Sequence, residues 1–112
     1  MEKVIRDGKV AVLYSPSYGA GWSTANDTDA LLFDPEIVSL VEKHKNGEIS
    51  HSNMCDKIMY YCDNKYGEND VYYGGVPDLT IEWIPIGKEF RVIEYDGHES
   101  IEYKEYIKWS KA

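Results

Sequence analysis

The apolar positions of the first 14 residues favour two short strands. Val4 to Arg6 and Lys9 to Tyr14 flank Asp7-Gly8, a dipeptide that readily adopts the positive φ angles of a two-residue hairpin turn. The second arm, KVAVLY, is largely apolar without clean alternation, which is typical of a strand covered on both faces. We therefore predict a β-hairpin with a buried second strand.

Two helices are predicted in the middle of the chain from apolar positions that recur at helical spacing. Residues 15–28 have no such period and are rich in Pro, Gly, Ser and Thr, so they are predicted to form a long loop, followed by the apolar patch Leu31 to Phe33. The first helix starts at the N-cap Asp34 and extends to about His44; the second starts at Ser50 or Ser52 and extends to about Lys65. Their predicted core positions are Ile37, Val38, Leu40, Val41, Met54, Cys55, Ile58, Tyr61 and Cys62, with the stem of Lys65.

The last 40 or so residues have the two-residue period of strands. Leu79 to Trp83, Phe90 to Tyr95 and His98 to Tyr103 are separated by turns at residues 85–88 and 96–97. Residues 104–109 fit either a further strand or a short helix that places Tyr106 and Trp109 against the sheet.

These elements predict the α+β class. An N-terminal β-hairpin is followed by two helices packed on one face of an antiparallel sheet, which a C-terminal β-meander completes. A chain of 112 residues is long enough for one core, so a single domain, residues 1–112, is expected.

Composition narrows the classes of partner and the compartment. The formal net charge of −8 disfavours nucleic acid and anionic membranes as partners. The first ten residues lack the apolar segment of a secretion signal, and no run is long enough to span a membrane. Cys55 and Cys62 lie on one predicted helix about 10 Å apart, too far for a disulfide. A cytoplasmic protein with free thiols is expected.

The loop after the second strand is the first candidate binding site. Glycines and hydroxyl side chains there offer backbone N–H and O–H donors suited to phosphate or ribose oxygens, and Trp22 offers a stacking face. The spacing matches neither a Walker nor a Rossmann loop. The alternative is structural: the glycines make tight turns and Trp22 fills the core.

A second candidate site is the segment Tyr72 to Asp78, where paired glycines follow two tyrosines that could sandwich a planar base. The alternative is a glycine bend that joins the helices to the sheet. If the two loops meet in space, both hypotheses gain support. Arg91 is among the cations available to offset the acidic charge. The predicted ligand-binding residues are Ser17, Tyr18, Gly19, Gly21, Trp22, Ser23, Thr24, Tyr72, Tyr73, Gly74 and Arg91.

No catalytic, metal or cofactor site is predicted. His44, His51 and His98 fall at helix ends or turns and are expected to be solvated. Nothing in the sequence places a histidine beside Cys55, Cys62 or Ser15, so the sequence gives hydrolysis no positive support. A hydrolase or lyase with an unrecognised site is a third alternative, which turnover of a nucleotide would reveal.

The stretches VAVLYSPSYGAGWST, LLFDPEIV, DLTIEW and EYDG resemble small proteins encoded by phages and prophages. The resemblance covers most of the chain and implies a context rather than a reaction: such proteins often act in the host cytoplasm against a defence system. Two functions follow as hypotheses. The first is non-enzymatic sequestration of a nucleotide-derived small molecule; the alternative is an acidic inhibitor that binds a host protein as a nucleic-acid mimic. Exposed strand edges and abundant tyrosine are compatible with a homodimer in either case.

Overall fold

The computed structural model describes residues 1–17, 21–104 and 111–112. Strands β1 (Ile5–Arg6) and β2 (Lys9–Tyr14) form the N-terminal hairpin. Positive φ angles at Asp7 (51°) and Gly8 (73°) confirm the predicted turn. β2 also pairs antiparallel with β3 (Thr80–Pro85), which gives a three-stranded sheet of order β1-β2-β3 with the buried strand at its centre.

Four helices lie between β2 and β3 in the described part of the chain. They are α1 (Ser23–Asn26), α2 (Asp29–Phe33), α3 (Pro35–Lys45) and α4 (His51–Tyr66). A turn of 3-10 helix, Val76–Asp78, precedes β3. None of the helices described is both long enough and apolar enough to cross a membrane.

The predicted N-caps of the two long helices are confirmed. The Asp34 carboxylate accepts hydrogen bonds from the backbone N–H groups of Glu36 (2.9 Å) and Ile37 (3.2 Å) at the start of α3. The Ser50 hydroxyl accepts one from the N–H of Asn53 (3.1 Å) at the start of α4. Both caps satisfy N–H groups that a helix leaves without an internal partner.

Helix α1 corrects the prediction of an uninterrupted loop over residues 15–28. The backbone N–H groups of Ser23 and Thr24, at the first turn of α1, donate to the carboxylate of Glu99 at 3.2 and 2.7 Å. The acceptor that these groups need therefore comes from a strand 75 residues further along the chain. A local sequence pattern cannot show such a partner.

Strands β4 (Phe90–Tyr95) and β5 (His98–Tyr103) confirm the predicted C-terminal hairpin. They form a separate two-stranded sheet, and within the residues described β3 pairs with β2 and not with β4. The α+β class is confirmed, but the expected meander is divided between two sheets. The alternatives for residues 105–109 fall outside the described residues.

The central strand β2 separates two hydrophobic clusters. Ala11 and Leu13 face the main core, which includes side chains of α3 and α4 and the buried Trp22. Val12 faces the other way, onto Phe33 and Ile84, with Phe90 and other residues of the β4–β5 hairpin packed against them. Alternation along one strand thus places α3 and α4 on one face of the sheet, and the β4–β5 hairpin with Phe33 of α2 on the other.

Candidate functional site

The Glu99 side chain lies at the centre of the first predicted binding loop. It is buried, with 2% of its surface exposed, and its carboxylate accepts five hydrogen bonds from the loop. The donors are Ser15 N (2.9 Å), Ser15 Oγ (3.2 Å), Ser23 N (3.2 Å), Thr24 N (2.7 Å) and Thr24 Oγ1 (2.8 Å). The loop is therefore an anion-binding loop, as its composition suggests, but the anion is a side chain of the protein itself.

The acidity of Glu99 reflects this environment. Burial raises the pKa of the carboxyl, but the hydrogen bonds from Thr24 and Ser15 favour the ionised form and bring the pKa below its usual value. Glu99 therefore stays ionised at neutral pH. It connects β5 to the loop, and its own backbone N–H donates to Ser15 O (3.0 Å) at the same point.

A sequence signal for Glu99 exists. In the strand HESIEY, residues 99, 101 and 103 share one face, and Ile101 and Tyr103 pack against the second hydrophobic cluster. An acidic residue on the apolar face of a strand requires a polar partner, because an unpaired buried charge is strongly destabilising. Glu99 is absent from the predicted binding residues, although the sequence carries this signal.

The two glycine-containing loops meet in space. The Asn26 side chain accepts a hydrogen bond from Tyr72 N (2.8 Å) and donates one to Tyr72 O (3.1 Å). A Cβ atom at Gly75 would lie 2.7 Å from the backbone nitrogen of Trp22 and 2.9 Å from Ser15 Oγ. Only glycine, which has no Cβ atom, fits at position 75 so close to the first loop.

Several predicted ligand-binding residues have structural roles. Trp22 is fully buried, and its indole N–H donates to Leu31 O (3.1 Å), so its ring offers no face to a ligand in this conformation. The Tyr73 hydroxyl donates to Asp63 (2.5 Å), and Gly21 lies against Thr24 and Glu99. Ser17, Tyr72 and Gly74 are exposed. Tyr18 and Gly19 are outside the described residues.

Three of the predicted residues line one cavity. Ser23 and Thr24 of α1 and Arg91 of β4 border a space of about 650 Å³, which we call the α1–β4 cavity. Its volume lies within the range of small-molecule pockets. Its other lining residues are Lys3, Asp27, Thr28, Asp29, Leu32, Phe33, Phe90 and Val92.

Charges of both signs surround the α1–β4 cavity. Lys3 lies with its ammonium 4.3 Å from the centroid of the Phe33 ring, and the Arg91 guanidinium donates to Glu102 on the neighbouring strand (2.6 and 3.1 Å). Asp27 and Asp29 contribute carboxylate oxygens. The cavity can therefore offer cations to a phosphate and acceptors to hydroxyl or amino groups of one ligand.

A second buried carboxylate, Asp34, connects α3 to α4. Besides capping α3, it accepts hydrogen bonds from Tyr61 OH (2.9 Å), Tyr66 OH (2.5 Å) and Lys65 Nζ (3.3 Å). Burial raises the pKa of Asp34, but the hydrogen bonds from Tyr66, Tyr61 and the Ile37 N–H, together with the charge of Lys65, hold the pKa below its usual value. This cluster packs the two helices together.

A histidine does lie beside a cysteine, contrary to the sequence interpretation. His51 Nε2 is 4.0 Å from Cys55 Sγ, because the two residues are four apart on α4. The same nitrogen lies 2.7 Å from Pro77 O, so it carries a proton and cannot accept one from the thiol. Burial raises the pKa of Cys55 and raises that of Cys62 to about 12. Neither thiol is activated.

Within residues 1–17, 21–104 and 111–112, no three or more His, Cys, Asp or Glu side chains are placed to hold a metal ion. Comparison with known proteins adds no further assignment: no protein-family model matches the chain, and no curated protein or solved structure is significantly similar to it.

Proposed function

We propose that this protein is a non-enzymatic binding protein that sequesters a nucleotide-derived small molecule in the α1–β4 cavity. The observation that carries the proposal is the convergence of Ser23, Thr24 and Arg91, from separate parts of the chain, on one ligand-sized space together with Lys3. The resemblance to phage and prophage proteins supplies the context of a host defence signal captured in the host cytoplasm.

Each part of such a ligand has a partner in the cavity wall. Lys3 and Arg91 are the cations for phosphate, and they offset the overall acidic charge locally. Asp27 and Asp29 are acceptors for ribose hydroxyls or exocyclic amino groups, as acidic residues are in many nucleotide sites. Phe90 provides an apolar surface for a base.

The role of the first loop in this proposal differs from the one its sequence suggests. Its donors hold Glu99 rather than a phosphate, which immobilises α1 against β5. Ser23 also donates its hydroxyl hydrogen bond to Leu13 O (2.6 Å). Ser23 and Thr24 are thus held by internal hydrogen bonds where they line the cavity, and a preorganised wall reduces the entropic cost of binding.

Native mass spectrometry of the protein from cells, followed by isothermal titration with cyclic and ADP-ribose-type nucleotides, tests the proposal. Arg91→Gln is expected to weaken binding of the captured nucleotide about tenfold or more, through loss of a charge-assisted contact. Arg6→Gln is the matched control. Arg6 is the other arginine of the sequence, also exposed and also paired with a glutamate, but it does not line the cavity.

A protein that is empty from cells and binds none of these nucleotides contradicts the proposal. So does equal affinity of Arg91→Gln and the wild type. An identical loss of affinity in both arginine variants indicates a general charge effect and contradicts the assignment of the cavity.

The acidic surface favours a second candidate, an inhibitor that binds a basic host protein. Within the described residues only four acidic side chains form ion pairs, namely Asp34, Glu42, Glu89 and Glu102, out of 20 Asp and Glu in the sequence. Apart from the buried Glu99, most of the other described acidic side chains are exposed and available to a partner. A complex of this kind weakens steeply as salt is added, and no nucleotide competes with it.

A further inference from the structure

Helices α3 and α4, with Ile49 between them, border a groove whose described lining residues include none from a strand. We call it the α3–α4 groove; its volume is about 660 Å³. Among the described residues, it shares no lining residue with the α1–β4 cavity. Its lining residues are Glu36, Leu40, Lys43, Ile49, Asp56, Lys57, Tyr60, Tyr61 and Asn64.

The groove has an apolar floor and an exposed aromatic residue at its edge. Leu40, Ile49 and Tyr61 contribute the apolar floor, while Tyr60 has 75% of its surface exposed. Large exposed apolar and aromatic side chains beside a concave surface are typical of protein–protein contacts, where tyrosine is a frequent anchor.

The rim of the groove is electrically balanced. Lys43 and Lys57 carry positive charge, and Glu36 and Asp56 carry negative charge. None of the four forms an ion pair within the described part of the chain. On a protein with a net charge of −8, this is a surface where two copies can approach without local repulsion and pair opposite charges.

We propose that a second copy of this chain docks in the α3–α4 groove and forms a two-fold symmetric dimer. In such an interface the same surface serves both partners, so it must be complementary to itself. The groove offers what such an interface requires, since each copy supplies apolar lining residues, an exposed Tyr60 and a rim with both signs of charge. The described lining residues of the groove carry no excess of negative charge that would attract a basic partner protein.

Sedimentation velocity across a concentration series, at low and high salt, tests the dimer. The wild type is expected to dimerise, and Tyr60→Glu is expected to raise the dissociation constant at least about tenfold by placing a charge on the apolar contact. Tyr95→Glu is the matched control, because Tyr95 is similarly exposed (83%), lies at the β4–β5 turn outside the groove, and undergoes the same change of charge. Circular dichroism checks that both variants are folded.

A second pair of variants tests the charge balance. Lys57→Glu makes the rim net negative and is expected to weaken the dimer, whereas Lys9→Glu on β2 changes the net charge equally and is expected to leave it intact. A wild type that is monomeric at every concentration overturns the proposal. The assignment to this groove is overturned if Tyr60→Glu leaves the dimer intact. It is also overturned if Tyr60→Glu and Tyr95→Glu weaken the dimer equally.

Discussion

At the scale of single residues, the main finding is that Glu99 occupies an anion-binding loop. Its carboxylate is buried and is stabilised by N–H and O–H donors rather than by a basic side chain among the described residues. Hydrogen bonds to an ionised group are stronger than those between neutral groups. The N–H groups of Ser15, Ser23 and Thr24 thus bind a side chain of the protein itself.

Replacing the charge while keeping the shape tests this role. Glu99→Gln removes the charge and replaces one acceptor oxygen with an NH2 group that faces N–H and O–H donors. We therefore expect the free energy of unfolding, measured by urea denaturation, to fall by roughly 2–4 kcal/mol. Glu102→Gln on the same strand is the control: its side chain is exposed, and we expect a change below about 0.5 kcal/mol. Equal urea midpoints for Glu99→Gln and the wild type contradict the structural role.

At the scale of elements, Asp34 performs two tasks that are separable by mutation. It caps α3 through backbone N–H groups, and it holds α4 through the hydroxyls of Tyr61 and Tyr66. Capping is worth about 1 kcal/mol in general. The bonds to α4 add the energy of buried hydrogen bonds to a charged acceptor.

A double-mutant cycle measures the second task. Tyr66→Phe is expected to lower the free energy of unfolding by about 1–2 kcal/mol, because Asp34 loses a donor. In the Asp34→Ala background the same substitution is expected to cost close to nothing, since the acceptor is absent. Chemical denaturation of the four proteins gives the coupling energy. Additive effects of the two substitutions contradict a direct link between α3 and α4 through this pair.

At the scale of the whole molecule, the two buried carboxylates make stability dependent on pH. The pKa values of Glu99 and Asp34 are both below their usual values in the folded protein. A carboxyl with a lowered pKa in the folded state stabilises it fully above the unfolded pKa, and this contribution is lost as pH falls through the folded pKa. Acid is therefore expected to loosen the attachment of both the β4–β5 hairpin and α4.

Urea midpoints measured from about pH 7 to pH 3 test this expectation. Stability is expected to fall below about pH 4.5, near the ordinary pKa values of Glu and Asp. The difference between wild type and Glu99→Gln is expected to shrink over the same interval, because protonation removes the charge that the variant already lacks. A difference that stays constant or grows on acidification contradicts the lowered pKa of Glu99.

The sequence by itself determined the features that depend on neighbouring residues. Asp7-Gly8 and Asp96-Gly97 adopt positive φ angles at both positions and form the two hairpin turns, and Asp34-Pro35 and Ser50 begin the long helices. The apolar run of β2 also indicates a strand covered on both faces. Each of these signals arises from local conformational preferences or from the period of one element.

Only the tertiary structure decided what the loops hold. The Ser, Thr and Gly residues after β2 indicate an anion-binding loop, but sequence spacing cannot show that Glu99, on a strand 75 residues beyond Thr24, supplies the anion. The same limit applies to Trp22, whose burial depends on Leu31 and Gly75, and to Lys3, which joins Arg91 at the α1–β4 cavity. A polar group meets its long-range hydrogen-bond partners only once the chain has folded. Those partners determine which donors remain for a ligand.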